Sequence, residues 1–365
     1  MPNLCTKRVL VVSKPLGGPW NDGSKNLARD VVGAIRARGR YAPCGFVSRG
    51  SGEIGIAVPD RTVSVRTAAR MVAKLAFDRT AALWHFFFAP NARTSSVAGA
   101  LCAMRRVPTV QTIASAPLRE ARLGDLAFGD RVVALSRATH RRALEEGVPA
   151  HRLVLVPTAT RAPEPPSEAA VGEVRRAHEL ASGALVVCFP GDLEHGRGAE
   201  LVIDACAAAR CRGDLVLVMA CRAKTSNGTA RQQALAARAA ARGVAIRWVG
   251  ETPAIHALLA ASDVVALPTD TLYAKVDHPL VLLEAMHLGR PVLVTEGTSA
   301  FELAEDGGAV GARFDAEDVA ARLDALAGDH ALRAEAGAKA SAHARVRSVE
   351  AMARAYESLY DELTR

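Results

Sequence analysis

Short runs of aliphatic and β-branched residues alternate along the chain with longer stretches whose apolar positions recur every three or four residues. Val9-Leu10-Val11-Val12-Ser13 predicts a strand, and the polar, Gly-containing stretch from Lys14 to Gly23 leads into a helix from Ser24 to about Arg38. The continuous apolar run Ala81 to Phe88 predicts a buried strand, with a helix near Ser95 to Met104 behind it. Val107 to Ile113 and Val132 to Ser136 follow as strands. A helix from about Thr139 to Glu146 then leads to the strand Leu153 to Pro157. This alternation implies a parallel sheet with helices on both faces. Arg161-Ala162-Pro163-Glu164-Pro165-Pro166-Ser167-Glu168 interrupts it as a linker.

After the linker the pattern restarts. A helix near Ala169 to Leu180 precedes strands at Leu185 to Pro190, Leu215 to Met219, Ile246 to Val249 and Val264 to Leu267, with Ala/Arg-rich helical sequence between them. From Ala316 the chain reads as helical, with apolar positions at Val319, Leu323 and Leu326 and again at Met352, Tyr356, Leu359 and Leu363. The fold class is therefore α/β, as two Rossmann-like domains: 1–162, and 168–347. Ligands in such sheets bind beyond the carboxyl ends of the strands, so a central cleft is the expected site.

Composition sharpens this picture in three ways. The chain has 365 residues, enough for two cores, and no run reaches the ~18 apolar residues of a membrane span. The N-terminus runs straight into the first strand and reads without a signal peptide. The seven cysteines are scattered and odd in number with no CxxC pair, which argues against a zinc site or disulfide framework and for free thiols in a cytoplasmic protein.

Charge is uneven. Residues 1–165 hold 25 Lys and Arg against 11 Asp and Glu, roughly +14, and the remainder is roughly −6. The basic half reads either as solvated helix faces or as a surface for anionic lipid or an anionic acceptor, which would give peripheral contact at the inner face of the membrane. Zinc-finger spacing, an aromatic stacking motif and a basic-region heptad are all missing, so nucleic acid is not an expected partner.

Candidate chemistry concentrates in Asp277 to Thr295. The segment reads as a loop, a short helix opened by Pro279, a Gly289-Arg290-Pro291 turn and a buried strand. Glu284 lies near the start of the helix, where a carboxylate accepts from paired hydroxyls and free N–H groups meet phosphate. A second signal is the turn Gly191-Asp192-Leu193-Glu194-His195-Gly196-Arg197-Gly198 between a strand and a helix, suited to a diphosphate.

These two segments resemble the nucleotide-sugar site of retaining GT-B glycosyltransferases of family four. Glu284 matches the second acid of the family's paired-Glu motif and by that resemblance binds ribose hydroxyls. The first acid would fall on Val276, and Asp277 is the nearest carboxylate. His278, Leu280 and Val281 occupy the loop and helix start that contact the donor. Arg197 matches the position of the family's diphosphate-binding Lys, with Gly191 beside it, Asp192 in place of the family's Arg, and Lys224 as a replacement cation. Gly17 and Gly18 match the loop that approaches donor and acceptor. The family's His falls on Ala114, leaving Ser115, Gln111 or His85 as polar replacements. His85 also reads as a satisfied core residue. The resemblance implies that helix 348–365 returns to the N-terminal domain, and that Arg197, Asp277 and His85 are the candidate catalytic residues.

The implied activity is metal-independent, retaining transfer of a sugar from a UDP- or GDP-type donor to a hydroxyl acceptor: a glycan, a lipid-linked molecule or a natural product. No cofactor is expected, because the nucleoside diphosphate sugar is itself the substrate. A non-catalytic nucleotide-sugar binder and an epimerase-like enzyme are the alternatives.

Overall fold

Each apolar run becomes a strand with helices against its faces. β1 (Lys7–Leu16), β2 (Tyr41–Ser48), β3 (Gly55–Val58), β4 (Leu83–Phe88), β5 (Thr109–Ile113), β6 (Arg131–Ala134) and β7 (Leu153–Leu155) form one sheet. β8 (Leu185–Phe189), β9 (Leu215–Met219), β10 (Ile246–Trp248), β11 (Val264–Leu267), β12 (Val292–Thr295) and β13 (Val310–Ala312) form a second. The computed structural model describes residues 6–117, 120–221, 223 and 225–365. Its backbone divides into a first unit of Met1–Arg161, Tyr273–Leu280 and Arg347–Arg365 and a second of Ala162–Leu272 and Val281–Val346. Among the described residues no helix is long and apolar enough to cross a membrane.

The strand orders are β3-β2-β1-β4-β5-β6-β7 and β10-β9-β8-β11-β12-β13, with neighbouring strands parallel. In both sheets the chain first builds outward on one side and then returns to the other. The direction reverses between β1 and β4, and between β8 and β11. Loops leaving adjacent strands at such a reversal diverge to opposite faces and open a crevice at the strand carboxyl ends. The crevice-forming loops are therefore 17–22 and 89–91 in the first unit, and 190–197 and 268–271 in the second.

Burial explains which strands the sequence announces. All five residues of β8 are buried, as are all four of β11 and of β12, and strands covered on both faces read as unbroken apolar runs. β2, β3 and β13 lack such runs. Pro43 and Gly45 weaken the β2 signal, yet Pro43 precedes the Gly45–Ser48 stretch that pairs with β3, so no ladder bond is lost on that side.

The helix Val349–Leu363 completes the first unit. Ser348 caps it by accepting from the Ala351 N–H at 3.1 Å, and it buries Met352, Ala353, Tyr356, Leu359 and Tyr360. Tyr360 Oη lies 2.6 Å from His85 Nδ1, Thr112 Oγ1 lies 2.8 Å from His85 Nε2, and Tyr356 Oη lies 2.9 Å from Thr112 Oγ1. Outside this chain of bonds, Arg38 pairs with Glu357 and Arg40 with Asp361, each at 2.8 Å.

His85 is 0% exposed, and burial pushes its imidazole from 6.5 down to about 3. A group whose folded pKa is depressed lends stability that is present above its unfolded value and lost as pH falls toward the folded one. Between pH 6.5 and about 4.5, above the range of the paired carboxylates, His85 should therefore drive a loss of stability of up to ~1.4 kcal/mol per pH unit. Thermal melts across that window should fall more steeply for the parent than for His85→Gln. Parallel curves would mean that the His85 ring takes up no proton on unfolding.

Candidate functional site

In the second unit the Gly191–Gly198 turn leaves β8 at the sheet reversal. Two of its glycines are required by what approaches them. Gly196 adopts φ +74°, and a Cβ there would fall 2.7 Å from Asp270 Oδ1. A Cβ on Gly198 would fall 2.5 Å from the Pro268 carbonyl oxygen. Gly191 sits against the Phe189 ring, which a Cβ would strike. Small residues thus let the turn after β8 lie directly on Pro268 to Thr271 after β11.

Arg197 occupies the N-cap of the helix Gly198–Ala208, whose first backbone bond runs from the Leu201 N–H to the Arg197 carbonyl at 3.0 Å. The N–H groups of 198–200 lie ahead of that ladder and carry the positive end of the helix dipole. The Arg197 N–H donates to Asp270 Oδ1 at 2.8 Å and its Nε to Asp270 Oδ2 at 2.9 Å. Its guanidinium carbon is 5.2 Å from the Phe314 ring centre. Burial pushes the Asp270 carboxyl up, but the Arg197 hydrogen bonds outweigh it and hold the group below 3.8.

Asp192 stays within the turn, where its Oδ1 accepts from the Glu194 N–H at 2.7 Å. The turn is braced from the helix Ser226–Ala241. Glu194 accepts from the Thr225 N–H and hydroxyl at 3.1 and 2.6 Å, and Arg231 bonds both the Gly196 carbonyl and Glu200. Lys224, the candidate second cation, lies outside the described residues.

Glu284 lies on the helix Leu280–His287 with its side chain 19% exposed. His256 Nε2 is 3.5 Å from Glu284 Oε2, and that hydrogen bond raises the His256 pKa above 6.5. Val281, one turn earlier, packs against the second unit's core.

The first unit holds the remaining candidates. Lys25 is 6% exposed and donates to the carbonyls of Gly17 at 2.7 Å and Pro19 at 2.6 Å, fixing the loop after β1. Burial pushes its ammonium below 10.5 against the opposing pull of Asp22. Gly17 is crowded by Ser48 and Ser51, whereas a Cβ on Gly18 would meet nothing closer than Trp20 Nε1 at 4.0 Å.

Asp277 and His278 are 2% and 1% exposed. Ser136 Oγ donates to Asp277 Oδ2 at 2.7 Å while capping the helix Arg137–Glu145 through the Thr139 N–H at 3.0 Å. Arg347 Nη1 is 2.9 Å from His278 Nδ1. Val276 and Leu280 lie in the same unit's apolar core, which explains why no acid stands at 276.

The structure therefore joins Asp277 and His278 to local partners in the first unit and Arg197 to Asp270 in the second. The expectation of His85 at a reaction centre meets a core residue instead, with both ring nitrogens engaged and its ring held neutral by desolvation. Gln111 is also committed: its amide donates to the Leu126 carbonyl and accepts from the Phe128 and Gly129 N–H groups. Ser115 is buried. Among the described residues no group of three or more His, Cys, Asp or Glu side chains is disposed to hold a metal ion.

Sequence reasoning missed Asp270, Arg231 and Arg347. The one available signal for Asp270 was its place in Pro268-Thr269-Asp270-Thr271, a polar cluster directly after a buried strand.

Residues 184–329 match the family described as glycosyl transferases group 1, a span that includes the turn, Asp270 and Glu284. The chain is 30% identical over 208 residues to a D-inositol 3-phosphate glycosyltransferase of Corynebacterium jeikeium, covering 54% of this chain and 48% of that one. The counterpart from Corynebacterium urealyticum is 30% identical over 193 residues, or 50% and 44% of the two chains. The chain thus spans about half the length of the curated relatives it matches.

Among solved structures, Anabaena HepE in complex with UDP and glucose superposes with a TM-score of 0.78 at 18% identity, covering 98% of this chain and 100% of that one. WaaG, a glycosyltransferase involved in lipopolysaccharide biosynthesis, superposes with a TM-score of 0.66 at 15% identity, covering 98% and 99%. Residues 184–329 thus match the group 1 glycosyltransferases, and the two parallel sheets share the GT-B fold of these solved structures.

Proposed function

We propose that the protein transfers a sugar from a nucleoside diphosphate sugar to a hydroxyl acceptor, with retention of configuration and without a metal ion. The observation that carries this reading is the placement of Arg197: a cation at a helix N-terminus, at the reversal of the second sheet, inside the segment that matches the family. A diphosphate seated there meets the helix dipole, the N–H groups of 198–200 and a guanidinium. Such fixed donors stabilise a leaving diphosphate as the sugar gains oxocarbenium character. Glu284 would accept from the ribose hydroxyls. Asp277 and His278 would hold the 273–280 segment through Ser136 and Arg347.

The HepE complexes with UDP and UDP-glucose support a UDP-type donor, with a GDP-type donor as the other expectation. Relatives named for D-inositol 3-phosphate support an acceptor that carries negative charge, in keeping with the basic first unit. That unit also exposes Val65 and Phe77, at 88% and 81%, at the two ends of the helix Val65–Phe77 beside Arg66, Arg70 and Arg79. This surface supports peripheral contact with anionic lipid at the inner face of a cytoplasmic membrane.

Incubation with UDP-glucose or GDP-mannose and an inositol phosphate tests the activity, with nucleotide release and anomeric configuration followed by NMR. Transfer with retained configuration is expected. Donor binding without turnover would mark a nucleotide-sugar binder, and isomerised donor without transfer would mark an epimerase-like enzyme.

Glu284→Ala should weaken nucleoside diphosphate binding by about 1.5–3 kcal/mol, the value of a charge-assisted hydrogen bond. Calorimetry showing unchanged affinity would remove Glu284 from the ribose. Arg197→Ala should lower kcat more than it raises KM for the donor, because its charge counts most as the diphosphate departs. Identical kinetics in variant and parent would leave Arg197 a surface residue. Sedimentation with vesicles should show binding to anionic and not neutral lipid at low salt, fading as screening shortens to ~8 Å at physiological ionic strength. Equal binding to both, or none, would leave the exposed helix without a lipid role.

A further inference from the structure

Asp270 holds two of the donors that Arg197 would offer to a phosphate, its backbone N–H and its Nε. Its two carboxylate oxygens accept separately, one from the backbone N–H at 2.8 Å and one from Nε at 2.9 Å. The carboxylate reaches that position only because residue 196 is glycine, since any Cβ there would fall 2.7 Å from Asp270 Oδ1. The other acids near the turn are engaged elsewhere: Glu200 by Arg231, Glu194 by Thr225, and Asp192 by the Glu194 N–H.

The pair is also weak enough to open. The Arg197 side chain is 72% exposed and that of Asp270 29% exposed, so water screens their attraction. The Phe314 ring beside the guanidinium gives it a second surface to rest on when the carboxylate is displaced. A diphosphate carries more negative charge than one carboxylate and gains the N–H groups of 198–200 as well.

We propose that Asp270 is a resident counter-anion that competes with the donor diphosphate for the backbone N–H and guanidinium of Arg197, and so sets donor affinity. The proposal rests on the reading of Arg197 as the diphosphate cation. It makes Asp270 an affinity-setting residue with an unusual sign: removing its charge improves binding. A carboxylate that merely positioned Arg197 would have the opposite effect.

The test is calorimetric titration of UDP and GDP into the parent, Asp270→Asn and Asp270→Ser, with melting curves to check folding. Both variants should bind the preferred nucleotide about two- to fivefold more tightly, the range expected for release of an exposed ion pair. KM for the sugar nucleotide should fall while kcat holds. Binding to the parent with no gain, or a loss, in the folded variants overturns the inference and leaves the proposed function standing. No binding to any of the three proteins overturns both. A crystal structure of the unaltered protein with UDP is the independent check: the Arg197 N–H and Nε should have exchanged Asp270 for phosphate oxygens. Both bonds remaining on Asp270 would overturn the inference without recourse to a variant.

Discussion

A parallel strand reaches its neighbour only by a crossover along one face of the sheet. When the direction of crossover reverses, two adjacent strands send their following loops to opposite faces. In the second sheet that reversal falls between β8 and β11. Because β8 and β11 are neighbours there, the Gly191–Gly198 turn and Pro268 to Thr271 leave adjacent strand ends and touch before the chain diverges, although Arg197 and Asp270 are 73 residues apart. The close approach at Gly196 and Gly198, the pairing of Arg197 with Asp270 and the orientation of the helix Gly198–Ala208 all depend on it. The helix Ser226–Ala241 then braces the turn from the side through Thr225 and Arg231, so the glycines supply room and the neighbouring helix supplies rigidity.

The first unit solves a different problem. Its interior contains polar groups, and a buried polar atom without a partner costs free energy. His85, Thr112, Tyr356 and Tyr360 satisfy one another in a single connected chain, two from the sheet and two from the helix Val349–Leu363. The aromatic bodies of both tyrosines and Phe87 surround the imidazole. Such a connected arrangement fixes the register of the helix on the sheet more tightly than apolar contact alone, because each donor has one acceptor in reach.

The strands that lie under helices on both faces were legible because they are written as unbroken aliphatic runs. β2 was not, because Pro43, Cys44 and Gly45 carry little strand preference and the pairing with β1 overrides it. The short edge strands β3 and β13 were hidden for want of length. In the site, Glu284 and Arg197 could be picked out because their neighbours in sequence are also their neighbours in the motif. Asp270 and Arg347 could not, since their partners arrive from other parts of the chain. Nothing beside His85 in sequence distinguishes core from chemistry, because the Tyr360 hydroxyl on its ring nitrogen comes from 275 residues away. The buried, apolar surroundings of Val276 likewise come from the first unit's core and leave no mark in the local sequence.

The division of the chain bears on the order in which the protein assembles. The first unit needs the helix Val349–Leu363, which is synthesised after the whole of the second unit, Ala162–Leu272 and Val281–Val346. Domains often close in the order in which they leave the ribosome. Here the later unit has the whole of its chain in hand first. The earlier one must wait with His85 and Thr112 lacking their tyrosines and with the apolar face of its first helix uncovered. For the time it takes to translate nearly 190 residues, the basic unit is an open half-core, the stage at which the nascent chain most needs shelter from its neighbours.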